Sequence, residues 1–351
     1  MSKPDFKQFS CPLPKTDYTT IQMAHGAGGR LSADLIDKVI MPVLGNATLK
    51  KLEDQATLTF PARNLAFSTD SFVVSPIFFP GGTIGELAVN GTVNDLAMAG
   101  ADPQVLSVGF IIEEGFSIAD LHEILLSMRR AADASGVQIV TGDTKVVPRG
   151  NCDKIFINTS GIGIIPKGVR ISAHQIQPGD KIILSGSIAD HGMAVMSVRE
   201  GLSFESEITS DTAALNHLVR QMLRVTNEIH AMRDPTRGGL ATTLNELAQA
   251  SKVGVQIWEE HIPIKEEVKA ACEILGIDPL YVANEGKLVA FVPENKAEAV
   301  LEAMHRHPLG RQAAIIGQAL EDHAGKVTMK NIYGIERIID MPVGEQLPRI
   351  C

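Results

Sequence analysis

Basic residues are in the minority in this 351-residue chain: 32 Lys and Arg face 41 Asp and Glu, a formal charge of −9. Non-specific nucleic-acid binding needs a positive surface that displaces counterions, so that class has no support. Anionic ligands held by local positive groups or through a metal ion are still compatible. Cysteine is scarce too. Cys11, Cys152, Cys272 and Cys351 are far apart and form no CxxC pair. This excludes a disulfide framework and a cysteine zinc site, and it predicts a reducing, cytoplasmic setting. No uninterrupted apolar run approaches the ~18–20 residues of a membrane-spanning helix. The opening MSKPDFKQFSCPLPK is polar, carries three prolines and lacks the apolar stretch of a signal peptide. GxxxxGK(S/T), GxGxxG, HExxH and GxSxG are all missing. A P-loop ATPase and a classical dinucleotide site are therefore unsupported.

What is present is ordinary globular material, 44% hydrophobic and 21% charged. At ~150 residues per domain the length predicts about two domains. Strand-like and helix-like stretches alternate. Leu65-Ala66-Phe67 reads as a short strand ending in Ser68-Thr69-Asp70-Ser71, and Phe72 to Phe79 as a second β-prone run stopped by Pro80-Gly81-Gly82. Thr83 to Ala99 reads as a helix of small residues. Ser117 caps the next helix, with Asp120 at the capping-box position and Gly136 at its end. Val137 to Val140 is a strand running into Thr141-Gly142-Asp143-Thr144-Lys145. After Ile165-Pro166-Lys167-Gly168 the alternation restarts. The expected organisation is an irregular lead-in at 1–20, domains at 21–166 and 167–340, and an extended tail at 341–351. The spacing does not force long parallel crossovers, so two α+β halves of similar size stand beside one doubly wound sheet as the expected classes.

Four features carry chemistry. Asp70 and Asp143 follow apolar strands, Asp95 stands beside Asn94 in the small-residue helix, Asp234 precedes Pro-Thr-Arg-Gly-Gly, and Asp54 lies just before a strand. Carboxylates that converge at a sheet edge need a cation, and hard oxygen ligands select Mg²⁺, commonly together with phosphates. Each Asp taken singly also fits an ordinary turn or cap. Gly26, Gly28 and Gly29, and Gly238-Gly239 at a helix start, would let backbone N–H groups approach a phosphate. Lys145, Arg237 and Lys287 could neutralise charge on a transferring phosphoryl group. Lys145 shares a face with Asp143 if the segment is extended. Finally, Cys351 is the last residue. The ten residues Met341 to Ile350 extend up to ~35 Å, enough for a swinging arm. His191 reads as a turn residue.

The segments FSTDSFVVSPIFFPGGTIGELAVNGTVNDLAMAGADP, TGDTKVV, RDPTRGGL and ANEGKL and the terminal PRIC resemble the HypE family of hydrogenase maturation factors, from about His25 to Cys351. That family belongs to the superfamily of aminoimidazole ribonucleotide synthetase, selenophosphate synthetase and thiamine-monophosphate kinase. The resemblance implies an N-terminal α+β domain that binds ATP and forms a homodimer through its strands, followed by a second α+β domain. It implies that a carbamoyltransferase, HypF, loads a carbamoyl group onto Cys351. ATP-dependent dehydration then gives a thiocyanate, whose cyanide passes to iron held by a HypC–HypD complex. On this reading Mg²⁺ sits on Asp70, Asp95, Asp143 and Asp234, with Asp54 a further candidate. Asn94, Thr144, Arg237 and Gly238 contribute to nucleotide binding, Lys145 orients the carboxamide and Glu285 is the base. Two alternatives stay open: a selenophosphate-type enzyme with Cys11 as nucleophile, and a scaffold whose tail is a docking peptide recognised by its terminal carboxylate.

Overall fold

The computed structural model describes residues 18–26, 30–51, 58, 60, 64–201, 208–342, 347 and 349–351. Asp54, Cys11 and Gly28-Gly29 lie outside them. The first half contains α1 (Arg30–Leu35), α2 (Met41–Leu44), β1 (Leu65–Phe72), β2 (Phe78–Phe79), β3 (Gly82–Thr83), α3 (Ile84–Met98), β4 (Asp102–Glu113), α4 (Ile118–Ser135), β5 (Gln138–Val147) and β6 (Ile155–Ile164). The second half contains β7 (Lys181–Leu184), α5 (Asp190–Arg199), α6 (Asn216–Leu223), β8 (Ala231–Arg233), α7 (Gly239–Ser251), β9 (Gly254–Trp258), α8 (Glu266–Leu275), β10 (Val289–Val292), α9 (Glu294–His305), β11 (Ala314–Leu320), β12 (Val327–Lys330) and β13 (Glu336–Ile339).

The first sheet has the order β1-β6-β4-β5. Its β1–β6 and β6–β4 pairs are antiparallel, and β4–β5 is parallel because α4 carries the chain across between them. Both helices start where the sequence places caps. The Thr83 hydroxyl accepts from the Gly85 and Glu86 amides, and the Ser117 hydroxyl accepts from Asp120 N. Gly136 ends α4 in the left-handed conformation at φ 77°. α3 is buried almost all round, as its small apolar residues predict. It packs on α4 and on one face of the sheet, and it also meets α6 of the second half. A methyl group at Gly85 would lie 2.5 Å from Ile124 O, so only glycine permits this approach of α3 to α4.

The second sheet is β13-β12-β9-β11-β7-β10-β8, antiparallel except for β12–β9. Alternate residues feed two cores. Ile182, Leu184, Val289 and Phe291 pack with Leu240 and Leu244 of α7, whereas Ile183, Ala290 and Val292 pack with Leu218 and Met222 of α6 and Val300 of α9. α5 and α8 instead share the first domain's core through Met193, Val195, Val268 and Cys272, and buried Leu347 and Ile350 of the tail join them. Mixed strands and helices on these two sheets make an α+β fold.

Two strands are longer than their composition suggests. β1 runs through Ser68 to Ser71 up to Phe72, and β5 runs through Asp143 to Val147. Asp70 and Asp143 are therefore mid-strand residues and not turn residues. Phe72 to Phe79 is not one strand: the chain bends through a cis Ser75–Pro76 bond, and only Phe78–Phe79 pairs, with β3.

Candidate active site

Along β1, Ala66, Ser68, Asp70 and Phe72 point toward α3, while Leu65, Phe67, Thr69 and Ser71 point to the open face of the sheet. Ser68 Oγ donates to Asp95 Oδ2 of α3 at 2.7 Å, which fixes Asp95 beside Asp70. Gly91 lets the helix approach closely, since a Cβ there would sit 2.8 Å from the Phe72 ring and 3.7 Å from Asp70 Oδ2. The second domain faces this pair with Asp234, just after β8, and Glu285, just before β10.

The charges of these four carboxylates press on one another. Burial and the neighbouring Asp95 push Asp234 up to about 7. Glu285 is raised well above the usual carboxylate range, first by burial and then by Asp211, Asp234, Asp70 and Asp95. Burial also raises Asp95 and Asp70, the latter against the pull of Arg237. Glu285 Oε1 is buried with no hydrogen-bond partner in the protein. A crowded set of hard oxygens, one of them unpartnered, fits a divalent cation. The set is loose: among the described residues no three His, Cys, Asp or Glu side chains stand together as a preformed metal site.

A stability prediction follows from these shifts. Asp234 and Glu285 bind protons more tightly folded than unfolded, so stability is fully present at acid pH and is lost as pH rises through their folded values. In chelator-treated buffer the melting temperature should fall by at least about 3 °C between about pH 5.5 and about pH 8. Added Mg²⁺ should restore more at the higher pH, where the carboxylates are charged. Differential scanning fluorimetry checks both, and a flat profile unaffected by Mg²⁺ would count against the cluster as a cation site.

Not every residue singled out in the sequence is in this cluster. Asp143 and Lys145 form an ion pair at 3.1 Å on β5, both about two-thirds exposed. The row Ser71–Asn158–Gly109–Asp143 crosses the sheet, so Asp143 lies three strands from β1, ~14 Å away, and on the opposite face from Asp70. A single-chain cluster of Asp70, Asp95, Asp143 and Asp234 is thus not formed, and Lys145 does not reach Glu285 within one chain. Thr144 stays with β5 at the far edge. Asn94 is not a ligand residue either. Its amide donates to Ala213 O at 3.0 Å and Glu285 O at 3.3 Å, and its oxygen accepts from Leu215 N at 2.8 Å. All its polar groups serve to clip α3 to the second domain.

Arg237 lies close enough to Asp70 to oppose its shift. Gly238 stands at the start of α7 with φ 77°, next to a Thr242 hydroxyl that is buried without a partner. Both suit an anion at the helix start. Sequence reading passed over Asp211. Burial alone would raise it, but Lys287 at 3.0 Å and the Glu285 and Gly286 amides hold it low. Asp211 thereby fixes the backbone that presents Glu285. Nothing in its local sequence, Thr-Ser-Asp-Thr, distinguishes it from a loop residue. Cys351 is half-buried, and an oxygen of its main-chain carboxylate accepts from Val73 N at 3.1 Å. The chain's end is therefore docked next to the strand that carries Asp70.

Two domain models match the chain: AIR synthase related protein, N-terminal domain, over residues 52–165, and the corresponding C-terminal domain over residues 177–330. Carbamoyl dehydratase HypE of Azotobacter vinelandii is 54% identical over 332 residues, covering 95% of this chain and 97% of its own length. The chain belongs to the HypE family. The crystal structure of hydrogenase maturation protein HypE in complex with ATP superposes with a TM-score of 0.91 at 49% identity, over 94% of this chain and 99% of that one. HypE in the crystal structure of a HypE–HypF complex matches with a TM-score of 0.78 at 50% identity, over 88% and 99%. These structures share the fold of this chain. Among the described residues no helix is long and apolar enough to cross a membrane.

Proposed function

We propose that the chain is an ATP-dependent carbamoyl dehydratase whose substrate is its own terminal cysteine. HypF loads Cys351 with a carbamoyl group, giving S–C(=O)–NH₂. Dehydration gives S–C≡N, with ATP converted to ADP and phosphate as the carboxamide oxygen departs on the phosphate. The cyanide then passes to iron on a HypC–HypD complex for a [NiFe]-hydrogenase. The observation that carries this reading is that Cys351 is hydrogen-bonded through its main chain to Val73, the residue after the strand that holds Asp70.

The residues divide the work. Asp70, Asp95 and Asp234 would hold Mg²⁺, with Asp54 a further candidate; Mg²⁺ would supply charge neutralisation for the triphosphate. Arg237 and the amides at Gly238 take a phosphate. The amide oxygen is a poor leaving group until it is phosphorylated. Two N–H protons leave: Glu285, whose Oε1 has no partner in the protein, takes the first as the oxygen is phosphorylated, and the departing phosphate carries off the second as the C≡N bond forms.

Lys145 and Asp143 enter from a second copy. The open face of the first sheet carries Leu65, Phe67 and Ile111 exposed, with Phe67 72% accessible. Two such faces packed together make a homodimer and lend each site the other chain's β5. In that arrangement Lys145 stabilises charge on the carboxamide oxygen as it is phosphorylated. Asp143 flanks the nucleotide from the same face of β5, and Thr144 stands next to it with its side chain toward the other face.

The test is mass spectrometry of the terminal peptide after incubation with HypF and carbamoyl phosphate, with and without Mg-ATP. The expected result is a carbamoyl adduct on Cys351 that loses one water only when Mg-ATP is present. An unmodified Cys351 alongside continued ATP hydrolysis would overturn the reading and favour a small-molecule kinase or selenophosphate-type enzyme.

A further inference from the structure

His191 is fully buried in the first turn of α5, edge-on to Phe79 at 5.3 Å between ring centroids. An imidazole buried this completely needs partners for both nitrogens. It has them: Nδ1 lies 2.8 Å from Ser210 Oγ and Nε2 lies 2.8 Å from Ile350 O. A carbonyl only accepts, so Nε2 carries the proton, and Nδ1 of the neutral ring accepts from the Ser210 hydroxyl. Ser210 Oγ is itself fixed by Thr212 N at 3.1 Å. At the other end of α5, Arg199 Nη2 donates to Ser75 O at 2.5 Å and to Arg349 O at 2.8 Å.

One helix therefore holds two successive tail carbonyls. The first domain holds the rest. Ser75 N donates to Arg349 O and Val73 N to Cys351 O, in the manner of an added strand. Arg349 turns back to Val73 O and pairs with Asp153. Arg349 has φ 54°, an unusual value for a residue with a side chain, and this bend lets both its carbonyl and that of Ile350 face α5. The contacts are to backbone atoms, so they fix register and not side-chain identity.

We propose that His191 and Arg199 form a clamp on the Arg349 and Ile350 carbonyls that sets the register in which Cys351 is presented. They are positioning residues, acting through the tail. The clamp's bearing on dehydration rests on Cys351 being the carrier thiol, but the clamp itself is tested without that chemistry.

The experiment is the rate of Cys351 alkylation by iodoacetamide in the full-length protein, read by peptide mapping. His191→Phe keeps the ring's bulk and removes the donor. Arg199→Gln alters a half-buried side chain at the helix end. Each should speed Cys351 labelling about tenfold, as expected for losing one or two net hydrogen bonds. His191→Gln, whose amide N–H can still reach Ile350 O, should stay close to the unmodified protein. In single-turnover dehydration at saturating Mg-ATP the first two variants should be slowed about as much while His191→Gln is not, a split that a general loss of stability would not produce. Unmodified labelling rates in His191→Phe and Arg199→Gln would overturn the clamp, as would His191→Gln labelling as fast as His191→Phe. If His191→Phe does not fold, Arg199→Gln decides alone. Faster labelling in a protein that HypF never carbamoylates would leave the clamp standing and remove the proposed function.

Discussion

Glu285→Gln should leave Cys351 able to accept a carbamoyl group and yet slow its dehydration by about 10²–10⁴-fold, the usual worth of a positioned base. The amide keeps the shape and the backbone contacts of Glu285 to Asp211 and Asn94. It cannot take a proton from the carboxamide. The same change should raise the melting temperature at pH 8 in chelator-treated buffer, because it removes a carboxyl whose charged form is disfavoured by burial and by Asp211, Asp234, Asp70 and Asp95. Loss of function with a gain in stability is the pattern of a site kept strained for its chemistry. Mass spectrometry of the terminal peptide and a thermal melt read the two effects separately. Full dehydration activity in the variant would refute the assignment of the base.

Phe67→Asp should convert the proposed homodimer to monomers and remove dehydration with it. Phe67 is 72% exposed and lies between Leu65 and Thr69 on the open side of β1, so the single chain loses little packing from the change. In a dimer closed through this face the carboxylate would be buried without a partner, at about 2–5 kcal/mol, and the twofold axis repeats the cost on the second chain. The dissociation constant should rise by at least about 10³-fold. Light scattering reads the mass. The monomer should still bind Mg-ATP at its own Asp70, Asp95 and Asp234, more weakly for want of the second copy's β5. A variant that stays dimeric, or a monomer that dehydrates at the original rate, would show that Lys145 is not delivered across this face.

The local parts of this fold are readable from local sequence. Ser117 and Gly136 bracket α4 because a cap and a left-handed stop are properties of a few neighbouring residues. The small residues of α3 announce a helix buried on every side. The strands carry weaker local signals. β1 and β5 continue through Ser, Thr and Asp because Thr69, Ser71, Asp143 and Lys145 lie on the open face while Ser68 and Asp70 turn toward the acidic cluster, and an unbroken polar run of that kind looks like a turn. β4 carries a period-two signal in Leu106, Val108, Phe110 and Ile112 that reading by turn residues passes over. Long-range facts leave no local trace. That β5 pairs with β4 and so ends at the far edge decides that Asp143 and Lys145 part company with Asp70. His191 resembles a turn residue because its partners, Ser210 and Ile350, are 19 and 159 positions away. Asp70, Asp95, Asp234 and Glu285 are brought together because β1 and α3 face the loops before β10 and after β8. Their chemistry suggested the meeting, but only the packing of two domains produces it.

The acids of that meeting come from both sides of one seam. Asp70 and Asp95 belong to the first domain and Asp234 and Glu285 to the second, and like charges across a seam push it open. Asn94 holds it shut from within, and the tail stitches it from outside by binding α5 on one side and Val73 and Ser75 on the other. A cation between the acids would turn the repulsion into adhesion. Nucleotide loading and tail seating therefore act on a single equilibrium of the seam. Linkage then makes their effects mutual: whatever factor a seated tail contributes to nucleotide affinity, bound nucleotide returns to the tail.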